Sequence, residues 1–178
     1  MTDENNQVII GDEIVDLAAL AGVDMTELQE VRSMVLPAGQ MLFRVLDAKL
    51  ESREVADRRD EAEEGAKINK PVVDFELEVT DCMGLVNDDL DPAVVVGRKH
   101  HNSFWISDVA QDLGRVKAFL ADVGVNTAGG LEDLLTAAHG IEFVSDVTNT
   151  KDKNDPDRIY ANLKNTMTVA EWQEKNAE

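Results

Sequence analysis

The stretch from residue 97 to residue 126 constrains the fold most, because a basic turn, an aromatic strand and an amphipathic helix follow one another in it. The turn and the strand read GRKHHNSFWIS, within a strand predicted over residues 94–106 with a break at Gly97. A helix is predicted over residues 108–123, since apolar residues recur there at spacings of three and four. They are Val109, Leu113, Val116, Leu120 and Val123.

Further segments with strand character lie on both sides of this central unit. Apolar and polar residues alternate, or apolar residues dominate, in residues 40–50, 71–81, 141–147 and 159–163, and such patterns are typical of strands. The clearest alternation covers residues 71–81, with one face apolar and the other acidic and predicted to be wet. A second short helix is predicted at residues 131–138, ended by Gly140. Residues 51–69 are charge-dense and are predicted to form a solvated loop.

The resulting order of three strands, a helix and two strands predicts an α+β fold that is mainly β. This order is that of the five-stranded OB barrel, which carries a helix between strands three and four. We assign residues 36–166 to this OB-like barrel and residues 167–178 to a short tail with one helical turn around Trp172. The surface of such a barrel often binds single-stranded nucleic acid.

An acidic extension, residues 1–35, precedes the predicted barrel. Residues 1–31 contain eight acidic residues and no lysine or arginine. Two short helices are predicted there from apolar spacing and a capping box, based on Ile14, Leu17, Ala18, Ala21, Asp24 and Glu27. The extension is either a pair of helices packed on the domain or a docking arm for a partner or a neighbouring subunit. We also expect the negative charge of this extension to compete with DNA for the basic groove of the predicted barrel.

Composition and motifs exclude several classes of function. The net charge of −19, from 17 basic and 36 acidic residues, argues against nonspecific nucleic-acid binding through a uniformly basic surface. No apolar run reaches eighteen residues, so no membrane span is predicted. The single cysteine, Cys82, allows no intrachain disulfide and suits a reducing compartment.

Catalytic and metal-binding patterns are also missing from the sequence. It contains no phosphate-binding loop, nucleophile elbow or paired-cysteine spacing, so we expect no enzyme and no cofactor. The acidic loop at residues 87–91 lacks the glycine and glutamate of a calcium loop. His100 and His101 are adjacent in a strand and therefore point to opposite faces, which makes them poor joint ligands of a metal.

Binding of a single strand requires exposed aromatic rings for stacking and cations for phosphates. The candidate stacking residues are Phe104, Trp105 and Tyr160. Because Phe104 and Trp105 are neighbours in a strand, at most one of them lies on the outer surface. The candidate phosphate contacts are Arg44, Arg98, Lys99, Lys151, Lys153, Arg158 and Lys164.

Residues 36–165 resemble a family of small tailed-phage proteins that bind single-stranded DNA. The resemblance depends on the order of four motifs: the turn LPAG at residues 36–39, FELEV at 75–79, the basic turn before an aromatic strand at 97–105, and VGV at 123–125 followed by a leucine-rich segment and a turn into a strand. It implies an OB-like barrel and a role in phage replication or recombination, in the cytoplasm of the infected bacterium. The implied partners are single-stranded DNA, phage replication proteins and further copies of the chain.

Two other functions remain open from the sequence. A compact β-domain with an acidic arm also suits a structural or decoration protein of the virion. The strongly acidic composition also suits a DNA mimic that blocks a host protein through its surface.

Overall fold

The computed structural model describes residues 7–10, 13–16, 35–57, 65–153, 155 and 157–177. The chain divides into two compact units, Met1–Met34 and Val35–Glu178. In the first unit, strands β1 (Gln7–Ile10) and β2 (Glu13–Asp16) form an antiparallel pair.

The helical prediction for the acidic extension is wrong at β2. The spacing that begins at Ile14 suggested a helix, whereas Val8, Ile9, Ile10 and Val15 are β-branched like Ile14, and such side chains favour strands. The other positions of the two predicted helices, residues 17–31, lie outside the described residues.

The second unit is built on a five-stranded antiparallel sheet, which confirms the mainly β, α+β prediction. Its strands are β3 (Gly39–Ala56), β4 (Lys67–Leu85), β5 (Lys99–Trp105), β6 (Glu142–Lys151) and β7 (Ile159–Thr168). Their order in the sheet is β5-β4-β3-β6-β7. Among the described residues no hydrogen-bonded ladder joins β5 to β7, so both are edge strands of the sheet.

Among the described residues, three helices accompany this sheet: α1 (Val109–Asp122), α2 (Leu131–Ala138) and α3 (Val169–Lys175). As predicted, α1 lies between the third and fourth strands of the sheet in chain order. Its cap is Asp108, whose side chain accepts a hydrogen bond from the backbone N–H of Gln111 at 2.8 Å. None of the helices in the described part of the chain is long and apolar enough to span a membrane.

Strands β3 and β4 extend well beyond their predicted ends and form a projecting two-stranded ribbon. Residues 51–56 and 67–69 of the predicted loop are strand, because the pairing of β3 with β4 continues through Arg53 with Lys70 and Val55 with Ile68. The apolar β-branched pair of Val55 and Ile68 supports the ladder despite the surrounding charges. Residues 58–64 lie outside the described residues.

Strand β5 is also shorter at its start than the strand predicted there. Pro92–Val94 form a 3-10 turn capped by Asp91, and the strand begins only at Lys99. Gly97 has a φ of 80°, a conformation that glycine adopts without steric cost. The strand predicted at residues 94–98 is therefore wrong: Gly97 lies in the turn before β5 and does not interrupt a strand.

The core lies between one face of the sheet and the helices α1 and α2. Four phenylalanine rings, Phe43, Phe75, Phe119 and Phe143, pack in edge-on or stacked pairs with centroids 4.9–5.7 Å apart. The alternation predicted for β4 holds, since Val73, Phe75, Leu77 and Val79 are all fully buried. On α1, Val109 is 67% exposed and Phe119 is buried, so the buried face lies nearer the C-terminal half than predicted.

Helix α3 is held on the sheet through its tryptophan. Thr168 and Glu171 form a capping box at its start. The indole Nε1–H of Trp172 donates to Oε1 of Gln40 at 2.7 Å, and Nε2 of Gln40 donates to Asp146 at 3.0 Å. The predicted helical turn around Trp172 is therefore confirmed, and it contacts β6 and β7.

Candidate nucleic-acid interface

The ten predicted contact residues lie in three places on the second unit. Arg44, Arg98, Lys99 and Trp105 belong to the outer face of β3, β4 and β5 or to the turn before β5. Lys151, Lys153, Arg158 and Tyr160 lie where β6 ends and β7 begins. Phe104 and Lys164 line a cleft between β5, α1 and β7. The structure therefore does not gather the ten residues into one groove.

We call the outer surface of β3, β4 and β5 the paired face, because its cations form ion pairs. Arg44 binds Glu142 at 2.7 Å, and Lys99 binds Glu76 at 2.6 Å. The Glu76 carboxylate raises the pKa of Lys99 above its usual value. A cation that already contacts a carboxylate loses that contact when it binds phosphate, so these two predicted contacts are poorly placed for DNA.

Arg98 has a structural contact in the turn before β5. Its Nε–H donates to the backbone oxygen of Val94 at 2.7 Å. The guanidinium therefore stabilises the turn, and this contact uses part of its set of N–H donors.

A buried carboxylate, Asp74, organises the paired face. Its side chain is 2% exposed and accepts hydrogen bonds from Ser103, from Nδ1 of His101 at 2.8 Å and from Arg53 at 2.7 Å. Burial raises the pKa of Asp74, but the three hydrogen bonds outweigh burial and hold the pKa below its usual value. The prediction that this face of β4 is wet is wrong at Asp74, because Arg53 from the extended ribbon covers it.

The two neighbouring aromatic residues of β5 point to opposite sides, as predicted. Phe104 packs edge-on against Phe75 and tilted against Phe119, at centroid distances of 5.9 and 5.6 Å. Trp105 lies on the paired face opposite Val72 and is 39% exposed. Trp105 is thus the only one of the two with a ring on the outer surface.

A second surface, the hairpin end, consists of residues 151–160. Tyr160 is 39% exposed there, its hydroxyl donates to Asp152 at 2.8 Å, and the guanidinium of Arg158 lies 5.1 Å from its ring centroid. Within the described part of the chain, Lys151 and Lys153 form no ion pair. An exposed ring beside available cations is the combination that single strands require.

Three aspartates share the hairpin end with these cations. Asp152, Asp155 and Asp157 equal Lys151, Lys153 and Arg158 in number. Two of their carboxylates stabilise the turn: Asp152 and Asp155 accept hydrogen bonds from backbone N–H groups two or three residues later. The lysines therefore keep their ammonium groups available while the aspartates shape the loop.

The cleft between β5, α1 and β7 has a volume of about 310 Å³. Its lining consists of Asn102, Phe104, Arg115, Ala118, Phe119, Asp122, Leu163, Lys164, Asn165 and Thr166. Sequence reasoning missed Asn102 and Arg115. The signal for Asn102 was available, because the predicted alternation of β5 places this polar side chain on the core side, between His100 and Phe104.

The residues that suggest metal or thiol chemistry are separated or shielded. His100 faces Phe43 on the inner side, with ring centroids 6.5 Å apart, whereas His101 binds Asp74 on the outer side. In the described part of the chain no group of three histidine, cysteine or acidic side chains is arranged to hold a metal ion. Burial raises the pKa of Cys82, which disfavours a reactive thiolate.

Comparison of the sequence with protein-family models finds no match, and comparison with curated proteins finds none either. The geometry of the three surfaces is therefore the basis for assigning a function.

Proposed function

We propose that this protein binds single-stranded DNA through an OB-like domain. The strand order and the position of α1 between the third and fourth strands of the sheet match the OB arrangement. Helix α1 contacts both edge strands, β5 and β7, and these edges line the same cleft. The contact of both edge strands with one helix supports the OB-like assignment.

The observation that carries this proposal is the hairpin end. Tyr160 offers a ring for a base, and Lys151, Lys153 and Arg158 offer cations for phosphates within the same ten residues. In OB folds the loop between the fourth and fifth strands contributes to the binding surface. Trp105 is a second stacking position at the end of the paired face.

The cellular role proposed here follows from the resemblance to tailed-phage proteins. We place the protein in phage replication or recombination, in the cytoplasm of the infected bacterium, with phage replication proteins as further partners. Assembly of several copies along one strand fits such a role, since cooperative binding is common among single-strand binders.

A second candidate, the acidic DNA mimic, is favoured by charge. The net charge is −19, and the cations of the paired face are neutralised by carboxylates. A mimic presents acidic groups to a basic protein surface and has no affinity for DNA. A virion protein likewise has no need to bind DNA, so one measurement separates these candidates from the proposal.

That measurement is a fluorescence titration of the full chain with a poly-thymidine oligomer at several salt concentrations. A single-strand binder gains affinity as salt falls, with a logarithmic slope of about 0.7 for each phosphate contact. No binding at low salt would refute the proposal in favour of the mimic or the virion protein. Mass spectrometry of purified virions then separates those two, because only a structural component is present in stoichiometric amounts.

A further inference from the structure

We propose that the cleft between β5, α1 and β7 holds one unstacked base of the bound strand, an inference that rests on the proposed function. The volume of about 310 Å³ lies at the lower end of the range for small-ligand sites. Part of its lining is aromatic, from Phe104 on β5 and Phe119 on α1. Aromatic side chains are the usual platforms for splayed-out bases.

The amide of Asn102 is one polar group of the cleft that forms no side-chain hydrogen bond among the described residues. Asn102 lies opposite Phe75 in the β4–β5 ladder and lines the cleft beside Phe104. In the described part of the chain its side chain has no hydrogen-bond partner. A side-chain amide offers two donors and one acceptor, which match the donor and acceptor edge of a base.

Two cationic side chains also line the cleft. Lys164 comes from β7 and forms no ion pair in the part of the chain that the structure describes. Arg115 comes from α1, is 64% exposed and reaches Asp112 only at 3.4 Å. One carboxylate, Asp122, also lines the cleft, so cations outnumber acids there. A base inside the cleft therefore has cations nearby for its own phosphate or the next one.

The alternative occupant is a peptide that adds a strand to the open edge of β5 or β7. Strand addition depends on backbone hydrogen bonds and is indifferent to a single side-chain amide. Aromatic side chains, an amide without a protein partner and two cations together match a nucleotide better than a peptide. The contribution of Asn102 therefore distinguishes the two occupants.

The test is a titration of the ¹⁵N-labelled full chain with a poly-thymidine oligomer, followed by NMR. We expect the side-chain amide signals of Asn102 to shift on binding, and Asn102→Ala to weaken binding about tenfold. The matched control is Gln111→Ala, an exposed amide on α1 outside the cleft. Because the amide of Asn102 has no partner, its removal should leave the urea unfolding midpoint unchanged or higher, whereas a packing role would lower it.

A second pair of variants tests the cations of the cleft. Arg115→Gln should weaken binding and reduce the salt slope by about 0.7, while Lys117→Gln, on the same helix but outside the lining, should change the slope less. If the oligomer binds and depends on Tyr160, but Asn102→Ala and Arg115→Gln bind like the parent, the cleft inference is wrong and the proposed function stands. If the parent does not bind the oligomer at all, both the proposed function and the inference about the cleft are wrong.

Discussion

The paired face and the hairpin end are both rich in charge, yet they use their cations in opposite ways. On the paired face Lys99 and Arg44 contact carboxylates at 2.6 and 2.7 Å. At the hairpin end Lys151 and Lys153 form no such contact in the described part of the chain. Asp152 and Asp155 of that end accept backbone hydrogen bonds from the loop instead.

This difference shows that the number of cations is a poor measure of affinity for phosphate. An ion pair on a strand surface contributes little to stability when it is exposed, but it occupies the donors that a phosphate needs. The paired face therefore contributes mainly to folding, through Asp74, and the hairpin end is the surface that we propose for binding. The predictions below separate these two roles, beginning with the largest expected effect.

Asp74→Asn should lower the free energy of unfolding by about 2–3 kcal/mol, because it leaves Arg53 and His101 without their shared carboxylate. Urea unfolding at neutral pH measures this loss. Glu78→Gln is the control, since it removes a half-exposed carboxylate from the same face of β4. Equal midpoints for the two variants would show that Asp74 has no special structural role.

The same carboxylate predicts acid sensitivity. The pKa of Asp74 is lower in the folded chain than in the unfolded chain, so its stabilisation is present above the unfolded pKa of about 4. It is lost as the pH falls through the lowered folded value. Asp74→Asn should therefore flatten the decrease in stability below about pH 4.

Tyr160→Ala should weaken oligonucleotide binding by about 1–3 kcal/mol, roughly tenfold to a hundredfold, through loss of base stacking. Trp105→Ala is the comparison, because its ring has the same 39% exposure but lies on the paired face, where Arg44 and Lys99 contact carboxylates. We expect the loss for Trp105 to be smaller than that for Tyr160. The reverse order would move the binding site to the paired face.

Much of the fold could be predicted from local patterns. The alternation of β4 and the apolar spacing of α1 are encoded by nearby residues, so the sequence was sufficient for them. The ribbon was missed because charged residues at 51–57 and 67–70 resemble a solvated loop. Only the cross-strand register, which brings Val55 opposite Ile68, shows that they pair.

The candidate site was harder to predict than the fold. The sequence separates Arg53 from Asp74 and Lys99 from Glu76 by more than twenty positions, so their pairing follows only from the sheet. The hairpin end differs, because Lys151, Arg158 and Tyr160 are neighbours in the sequence. The opposite orientation of Phe104 and Trp105 was predicted, since it follows from the period of a strand.

Protonation of His100 should reduce stability as the pH falls through the range near 6.5. Burial, and then the nearby His101, lower the pKa of His100 in the folded chain, although Asp74 opposes this. The unfolded chain thus binds the proton more tightly, and stability falls with pH by at most about 1.4 kcal/mol per unit. Urea midpoints between about pH 7.5 and 5.5 should fall less steeply in His100→Gln than in His139→Gln, the exposed control.

The smallest expected effect is also the most direct comparison of the two surfaces. Lys151→Gln should weaken oligonucleotide binding roughly fivefold at about 0.1 M salt and lower the salt slope by about 0.7, the contribution of one phosphate contact. Lys99→Gln removes the same charge from the same residue type, but its ammonium already contacts Glu76. Loss of Lys99 also frees that carboxylate, so any effect on binding comes from general repulsion and leaves the slope nearly unchanged. Equal salt slopes for the two variants would mean that binding depends only on the net charge of the domain. The hairpin end would then not be the binding site.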